Sequence, residues 1–128
     1  MMREIIKTAK APAAVGPYSQ AVKVSCGTVV FVSMMIPLNP ETKEVVGRTG
    51  GEQCKQAMDN LAQVLRAAGA DLSKIVKTTI FLVDLDDFGA VNEMYATYFD
   101  TDPPARATVE VSRLPLGAKV GIEAVAFL

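Results

Sequence analysis

Apolar positions alternate or cluster in six short stretches of this chain and recur at helical spacing in two longer ones. Ile5 and Ile6 mark a short first strand, closed by the turn-rich run Ala11-Pro12-Ala13-Ala14-Val15-Gly16-Pro17. Ala21-Val22-Lys23-Val24 and Val29-Val30-Phe31-Val32 flank Ser25-Cys26-Gly27-Thr28, a spacing that predicts a hairpin with glycine at its tip. The prolines and polar residues of Pro37-Leu38-Asn39-Pro40-Glu41-Thr42-Lys43-Glu44 predict a loop. From about Gly51 to Ala68, the residues Cys54, Ala57, Met58, Leu61, Val64, Leu65 and Ala68 recur every three or four positions, as one buried helical face requires. Gly69 supplies the stop.

Ile75 to Val83 is rich in β-branched and apolar residues and reads as a strand. Asp86 or Asp87 then caps a second helix with Phe88, Val91, Tyr95, Tyr98 and Phe99 on one side. Arg106 to Val111 and Lys119 to Phe127 finish the chain as two strands joined by Arg113-Leu114-Pro115-Leu116-Gly117. The order β-β-β-α-β-α-β-β predicts an α+β fold, a mixed six-stranded sheet with two helices on one face. Val29-Val30-Phe31-Val32 and Thr78-Thr79-Ile80-Phe81-Leu82 are apolar on both alternating faces, so the uncovered side of the sheet is too apolar to leave in water. A homo-oligomer is the expected remedy. At 128 residues, with no linker or internal repeat, residues 1–128 form one domain.

Composition narrows the chemistry. A 50% hydrophobic chain with a net charge of −1 has a core but no general attraction for phosphate backbones or anionic lipid, so neither nucleic acid nor membrane is an expected partner. The absence of histidine removes a histidine base, a Ser-His-Asp triad and histidine-ligated zinc. Cys26 and Cys54 are too far apart for a paired-cysteine metal or redox motif, and free thiols in a reducing cytoplasm are expected. No long apolar run follows Met1-Met2-Arg3-Glu4, so neither a signal peptide nor a membrane span is expected.

Two residues then carry the functional reading. Arg106 opens a strand directly after Pro103-Pro104-Ala105, and a guanidinium at the start of a half-buried strand needs a fixed anionic partner for its donors. Glu123 sits in the last strand on the face shared with Val125 and Phe127, opposite Val120, Ile122, Ala124 and Ala126, so its carboxylate is either paired or working. The bland alternative is a structural ion pair of Arg106 with Glu123 or Glu110. Gly47-Arg48-Thr49-Gly50-Gly51, ahead of a helix, is a weak anion-cradle candidate that matches no phosphate-loop pattern.

Gly16-Pro17-Tyr18-Ser19-Gln20-Ala21, Ser33-Met34-Met35-Ile36-Pro37-Leu38-Asn39-Pro40, Asp59-Asn60-Leu61, Val76-Lys77-Thr78-Thr79, Val91-Asn92, Pro104-Ala105-Arg106, Val109-Glu110-Val111 and Ile122-Glu123-Ala124 stand in the order found in a known family. Across its whole length the chain resembles the Rid family of reactive-intermediate deaminases, also called the YjgF family, and most closely its imine deaminase subgroup. The resemblance implies a chorismate-mutase-like fold, a homotrimer whose sheets line a central barrel, and one site in each cleft between subunits. It also implies hydrolysis of 2-imino acids, released by pyridoxal-phosphate-dependent dehydratases, to 2-keto acids and ammonium.

Tyr18, Ser33, Asn92, Arg106, Thr108 and Glu123 fall on that family's site positions. On this reading Arg106 takes the substrate carboxylate through two parallel N–H bonds, and Glu123, held half-hidden beside it, positions or deprotonates a water or returns a proton. Tyr18 and Ser33 donate to the imine nitrogen or the carboxylate. Asn92 and Thr108 line the substrate. An iminium carbon is already activated, so no metal or redox cofactor is required. Two departures stand out: Met34-Met35 replace the usual Gly-Gln, which narrows the pocket if backbone approaches ligand there, and Thr108 replaces a common cysteine. The competing readings are a non-catalytic trimer that binds or senses a keto acid in the same pocket, and RNA cleavage, which the charge balance disfavours.

Overall fold

A computed structural model describes residues 2–128. The regular elements follow the predicted order: β1 Met2–Ile6, β2 Ala21–Ser25, β3 Val29–Met35, α1 Gly50–Ala67, β4 Ile75–Leu82, α2 Phe88–Ala96, β5 Ala105–Glu110 and β6 Val120–Phe127. Helix α1 begins at a capping box. The Thr49 hydroxyl accepts from Glu52 N at 3.1 Å, and the Glu52 carboxylate accepts from Thr49 N at 3.2 Å. Hydrogen bonds from the Thr49 hydroxyl and backbone, and from the Arg48 backbone, hold the Glu52 carboxyl below the usual carboxylate range. The glycine-rich entry to α1 is therefore occupied by the chain's own acid rather than open to an anion. At the other end Gly69 adopts φ +80°, the left-handed stop that its sequence position predicts.

The cap of α2 differs from the expectation. Neither Asp86 nor Asp87 caps it with a side chain; Asp84 does the capping one turn earlier, accepting from Asp86 N at 2.9 Å and starting the short 3-10 turn Leu85–Asp87 that runs into the helix. The helix also ends at Ala96, so Tyr98 and Phe99 lie beyond it, with the Phe99 ring packed at 4.9 Å on Tyr95.

The predicted six-stranded sheet is divided. A four-stranded mixed sheet runs in the order β3-β6-β4-β5, with β4 and β5 parallel through the α2 crossover, and β1 pairs with β2 as a separate two-stranded ribbon. The hairpin expected across Ser25-Cys26-Gly27-Thr28 does not form. Cys26 at φ 54° and Gly27 at φ 134° turn the chain away between β2 and β3, and Thr28 is instead stitched to Leu128 by two backbone bonds of 2.8 and 3.0 Å. A Cβ on Gly27 would lie 2.1 Å from the Leu128 carbonyl, so only glycine allows this close crossing. The ribbon is tied to the sheet at the start of β4 and the β5 edge, where Arg3 Nη2 donates to the carbonyls of Ile75 and Asp102, Ser19 bridges to Ala105, and Ser19 N donates to the Pro104 carbonyl at 3.1 Å.

Both helices cover one face of the four-stranded sheet. Cys54, Met58, Leu61 and Leu65 from α1 meet Val91 and Tyr95 from α2 over Ile80, Leu82, Val120, Ile122 and Ala126, all essentially excluded from water. Core side chains at this density tolerate no loss of volume without a cavity cost. The opposite face is bare: Phe31 is 80% exposed, with Val29 and Val109 also exposed and Phe81, Val125 and Phe127 half-buried.

Candidate functional site

β5 carries Arg106 opposite Thr78 of β4, with Thr108 opposite Ile80. Thr78 and Ile80 face the helices, so Arg106 and Thr108 point to the same side. There the guanidinium meets the face of α2 defined by Phe88, Asn92 and Tyr95. Its Nη1 donates to Asn92 Oδ1 at 2.6 Å, and its central carbon lies 5.2 Å from the Tyr95 ring, 5.4 Å from Tyr18 and 5.8 Å from Phe88. Three aromatic faces around one cation are attractive and fix its plane, while leaving its outer N–H groups without an acceptor. The loop before β2 supplies Tyr18: Gly16 packs against Asn92 and the Tyr18 ring, and the Tyr18 hydroxyl accepts from Val15 N at 3.3 Å.

The predicted anionic partner of Arg106 is absent among the described residues. Glu110 accepts instead from Leu85 N at 2.9 Å, and the ion pair among the described residues joins Lys55 to Asp59 on the surface of α1. Burial pulls the Arg106 pKa down, opposed by Tyr95, Tyr18 and Cys54, yet a guanidinium stays charged at any physiological pH. Thr108 adds a second unfilled group, since its hydroxyl is buried without a hydrogen-bond partner. Beneath the cage, Tyr95 is locked by a 2.8 Å bond to Thr78, and burial pushes its phenol up to about 12. Burial likewise pushes the Cys54 thiol up to about 12, opposed by Arg106, which makes this thiol an inert packing group.

Glu123 and Ser33 lie elsewhere. Glu123 is opposite Thr79 on β4, on the bare face, whereas its neighbours Ile122 and Ala124 face the helices. It is exposed, not half-hidden, and the sheet separates it from Arg106, so the expected pairing of the two is not found in the chain. Ser33 joins it through an irregularity in β3: Val32 pairs with Ala124 and Met35 with Ile122, so Ser33 and Met34 together oppose Glu123. Such a bulge places two consecutive side chains against one partner residue. A cavity of about 170 Å³ beside them is lined by Phe31, Lys77, Thr79 and Glu123. Met34 bends over Gly121, where a Cβ would come within 2.7 Å of its sulfur.

The six sequence candidates thus form two groups: Tyr18, Asn92, Arg106 and Thr108 at the β5 edge under α2, and Ser33 with Glu123 on the bare face. Sequence reasoning missed Phe88 and Tyr95 as parts of the first group. Their spacing of four and three residues from Asn92 puts all three on one helical face, which is the signal that finds them. Lys77 and Thr79 of the second group follow from alternation along β4. Among the described residues, no three His, Cys, Asp or Glu side chains come together as a metal would need, and no helix is long and apolar enough to cross a membrane.

A model of the Endoribonuclease L-PSP family matches residues 8–128. The DfrA protein of Myxococcus xanthus is 52% identical over 126 residues, 98% of this chain and 96% of that protein. The 2-iminobutanoate/2-iminopropanoate deaminase of Mus musculus is 48% identical over 126 residues, 98% of this chain and 92% of that protein. Among solved structures, the E. coli protein TdcF with bound serine has a TM-score of 0.75 at 39% identity over 98% of both chains. With two helices on a mixed sheet and these similarities along nearly its full length, the chain belongs to the Endoribonuclease L-PSP family, the Rid/YjgF proteins.

Proposed function

We propose that this protein hydrolyses 2-imino acids to 2-keto acids and ammonium, in a site completed between copies of the chain. The observation that carries this reading is the caged Arg106: a half-buried guanidinium, oriented by Asn92 and three aromatic rings, with no carboxylate of its own. Such a fork is complementary to a small carboxylate held by two parallel N–H bonds. Relatives named 2-iminobutanoate/2-iminopropanoate deaminase support the reaction, and a family structure holding serine supports a small carboxylate as the ligand class.

The acid comes from the next copy. The bare face with Phe31, Val29 and Val109 needs covering, and a ring of three copies with these faces around a central barrel covers it. Each Arg106 edge then faces a neighbour's Ser33 and Glu123. With the iminium carboxylate on Arg106, Glu123 accepts a proton from water as its oxygen adds to the C=N carbon. Glu123 returns that proton to the nitrogen of the resulting carbinolamine. The C–N bond breaks, the hydroxyl proton passes to the departing ammonia, and a 2-keto acid and ammonium remain. Tyr18, Ser33 and Thr108 supply hydroxyls to the carboxylate and the nitrogen. The rate gain is one of positioning, which supplies several kcal/mol without a cofactor.

The test couples the purified protein to a pyridoxal-phosphate-dependent threonine dehydratase and follows keto acid appearance. Acceleration by the native protein and none by Arg106→Ala is expected. An unchanged rate, together with thermal stabilisation by a 2-keto acid, would instead assign the pocket to metabolite sensing.

A further inference from the structure

A cavity of about 420 Å³ opens between the end of β3, the loop that follows it and α1, and belongs to neither residue group above. Its apolar walls are Met34, Met35, Ile36, Leu38 and Val64, and Asn60, Gln63 and Lys43 also line it. The Asn60 amide is already used: Asn60 Nδ2 donates to the carbonyls of Ile36 and Leu38 at 3.2 and 2.9 Å, and its Oδ1 accepts from Gln56 at 2.9 Å. What remains facing the space is mainly aliphatic and thioether surface, in the size range of pockets that hold small molecules. Methionine walls adapt to the shape of an unbranched chain better than branched ones do.

Met34 connects this space to the chemistry. It follows Ser33 in the bulge opposite Glu123, lines the cavity, and lies over Gly121, two residues along β6 from Glu123 on the same face. Gly121 and Glu123 are about 7 Å apart along the strand, so Met34 carries one wall of the cavity to within a few carbon–carbon bonds of the Glu123 position along β6. Methionine here does not simply narrow the pocket, because Gly121 yields the room that the Met34 sulfur takes. We infer that the Met34–Val64 cavity receives the substrate's side chain, so that the protein takes 2-imino acids with long unbranched apolar side chains in preference to those derived from alanine. This rests on the proposed deaminase reading for the position of the reacting carbon. Each methylene buried there is worth roughly fourfold in affinity.

The experiment titrates the intact protein calorimetrically with pyruvate and with 2-oxohexanoate, the product-like acids with no chain and with three more methylenes, and measures hydrolysis of the matching imines in parallel. The longer acid should bind at least about tenfold tighter. Val64→Glu, which places a charge in the cavity from a helix position already 39% exposed, should abolish that preference and leave pyruvate affinity unchanged. Val64→Phe, which fills the cavity without charge, should do the same. Equal affinities for the two acids, or a preference that survives both substitutions, overturns the inference. A chain-length preference in binding with no imine hydrolysis leaves the side-chain site standing and removes the deaminase reading; hydrolysis with no such preference does the reverse.

Discussion

On the helix side of the four-stranded sheet Thr78 is paired with Tyr95 and Asn92 with Arg106, and the Thr108 hydroxyl is buried without a partner. On the other side Phe31 lies in water beside an exposed Glu123, and Ser33 shares a bulge with Met34. The chain's own helices cover the first face, and the second is left bare. The difference teaches that the residues suited to binding an anion are positioned by the chain's own core, whereas on the proposed reading the acid for proton transfer stands on an uncovered surface. The proposed chemistry thus divides anion binding and proton transfer between the two faces.

The sharpest way to break that division is complementation. Arg106→Ala and Glu123→Ala should each lower kcat/KM by roughly a thousandfold, since one removes charge-assisted bonds to the carboxylate and the other the proton acceptor. Unfolded together and refolded as a mixture, the two inactive variants should recover roughly a quarter of native activity, because random assembly in a closed ring pairs an intact Arg106 with an intact Glu123 at that frequency. No recovery would place both residues of each site on one chain. Next in size, Tyr95→Ala should cost about 3–5 kcal/mol in denaturant unfolding, because it empties a fully buried ring site beneath Arg106. Phe31→Asp, on the bare face, should instead change protomer stability by no more than about 0.5 kcal/mol and split the oligomer on size-exclusion chromatography. An intact oligomer would sink the bare face as the contact.

The smallest effect is in alkali. Cys54 and Tyr95 are both pushed up to about 12 by burial, so the unfolded chain gives up these protons at lower pH than the folded one. Above the unfolded values the unfolded state binds fewer protons, and stability falls as pH rises toward 12. Below them this contribution is fully present. Melting temperature followed from pH 8 upward should show the decline, reduced in Cys54→Ala. At pH 8 an alkylating reagent should label exposed Cys26 and spare Cys54.

Much of this was legible in the chain itself. The Gly69 stop, the two faces of β6 and the inner face of α1 at Cys54, Ala57, Met58, Leu61 and Leu65 follow from local periodicity. Val64 and Ala68, expected on that inner face, are exposed, and β1 and β3 run further than expected, over Met2–Ile6 and Val29–Met35. Two of the mistakes share a physical origin in pairing at long range. Ser25-Cys26-Gly27-Thr28 looks like any tight hairpin, and nothing local shows that Thr28 bonds to Leu128, a hundred positions away. For the same reason Arg106 was expected beside Glu123 or Glu110: alternation shows which face of a strand a residue takes, but the face of Arg106 is settled by its register against Thr78 and by where α2 lands. Asp84 capped where Asp86 or Asp87 was expected because three aspartates within four positions offer nearly equal local choices.

The placement of Arg106 and Glu123 on opposite sides of one sheet has a practical outcome for anyone handling this protein. If turnover needs two molecules in contact, specific activity becomes a function of dilution and falls by mass action while circular dichroism still reports a native protomer. A stock that looks inactive at nanomolar concentration should then regain its rate on concentration alone.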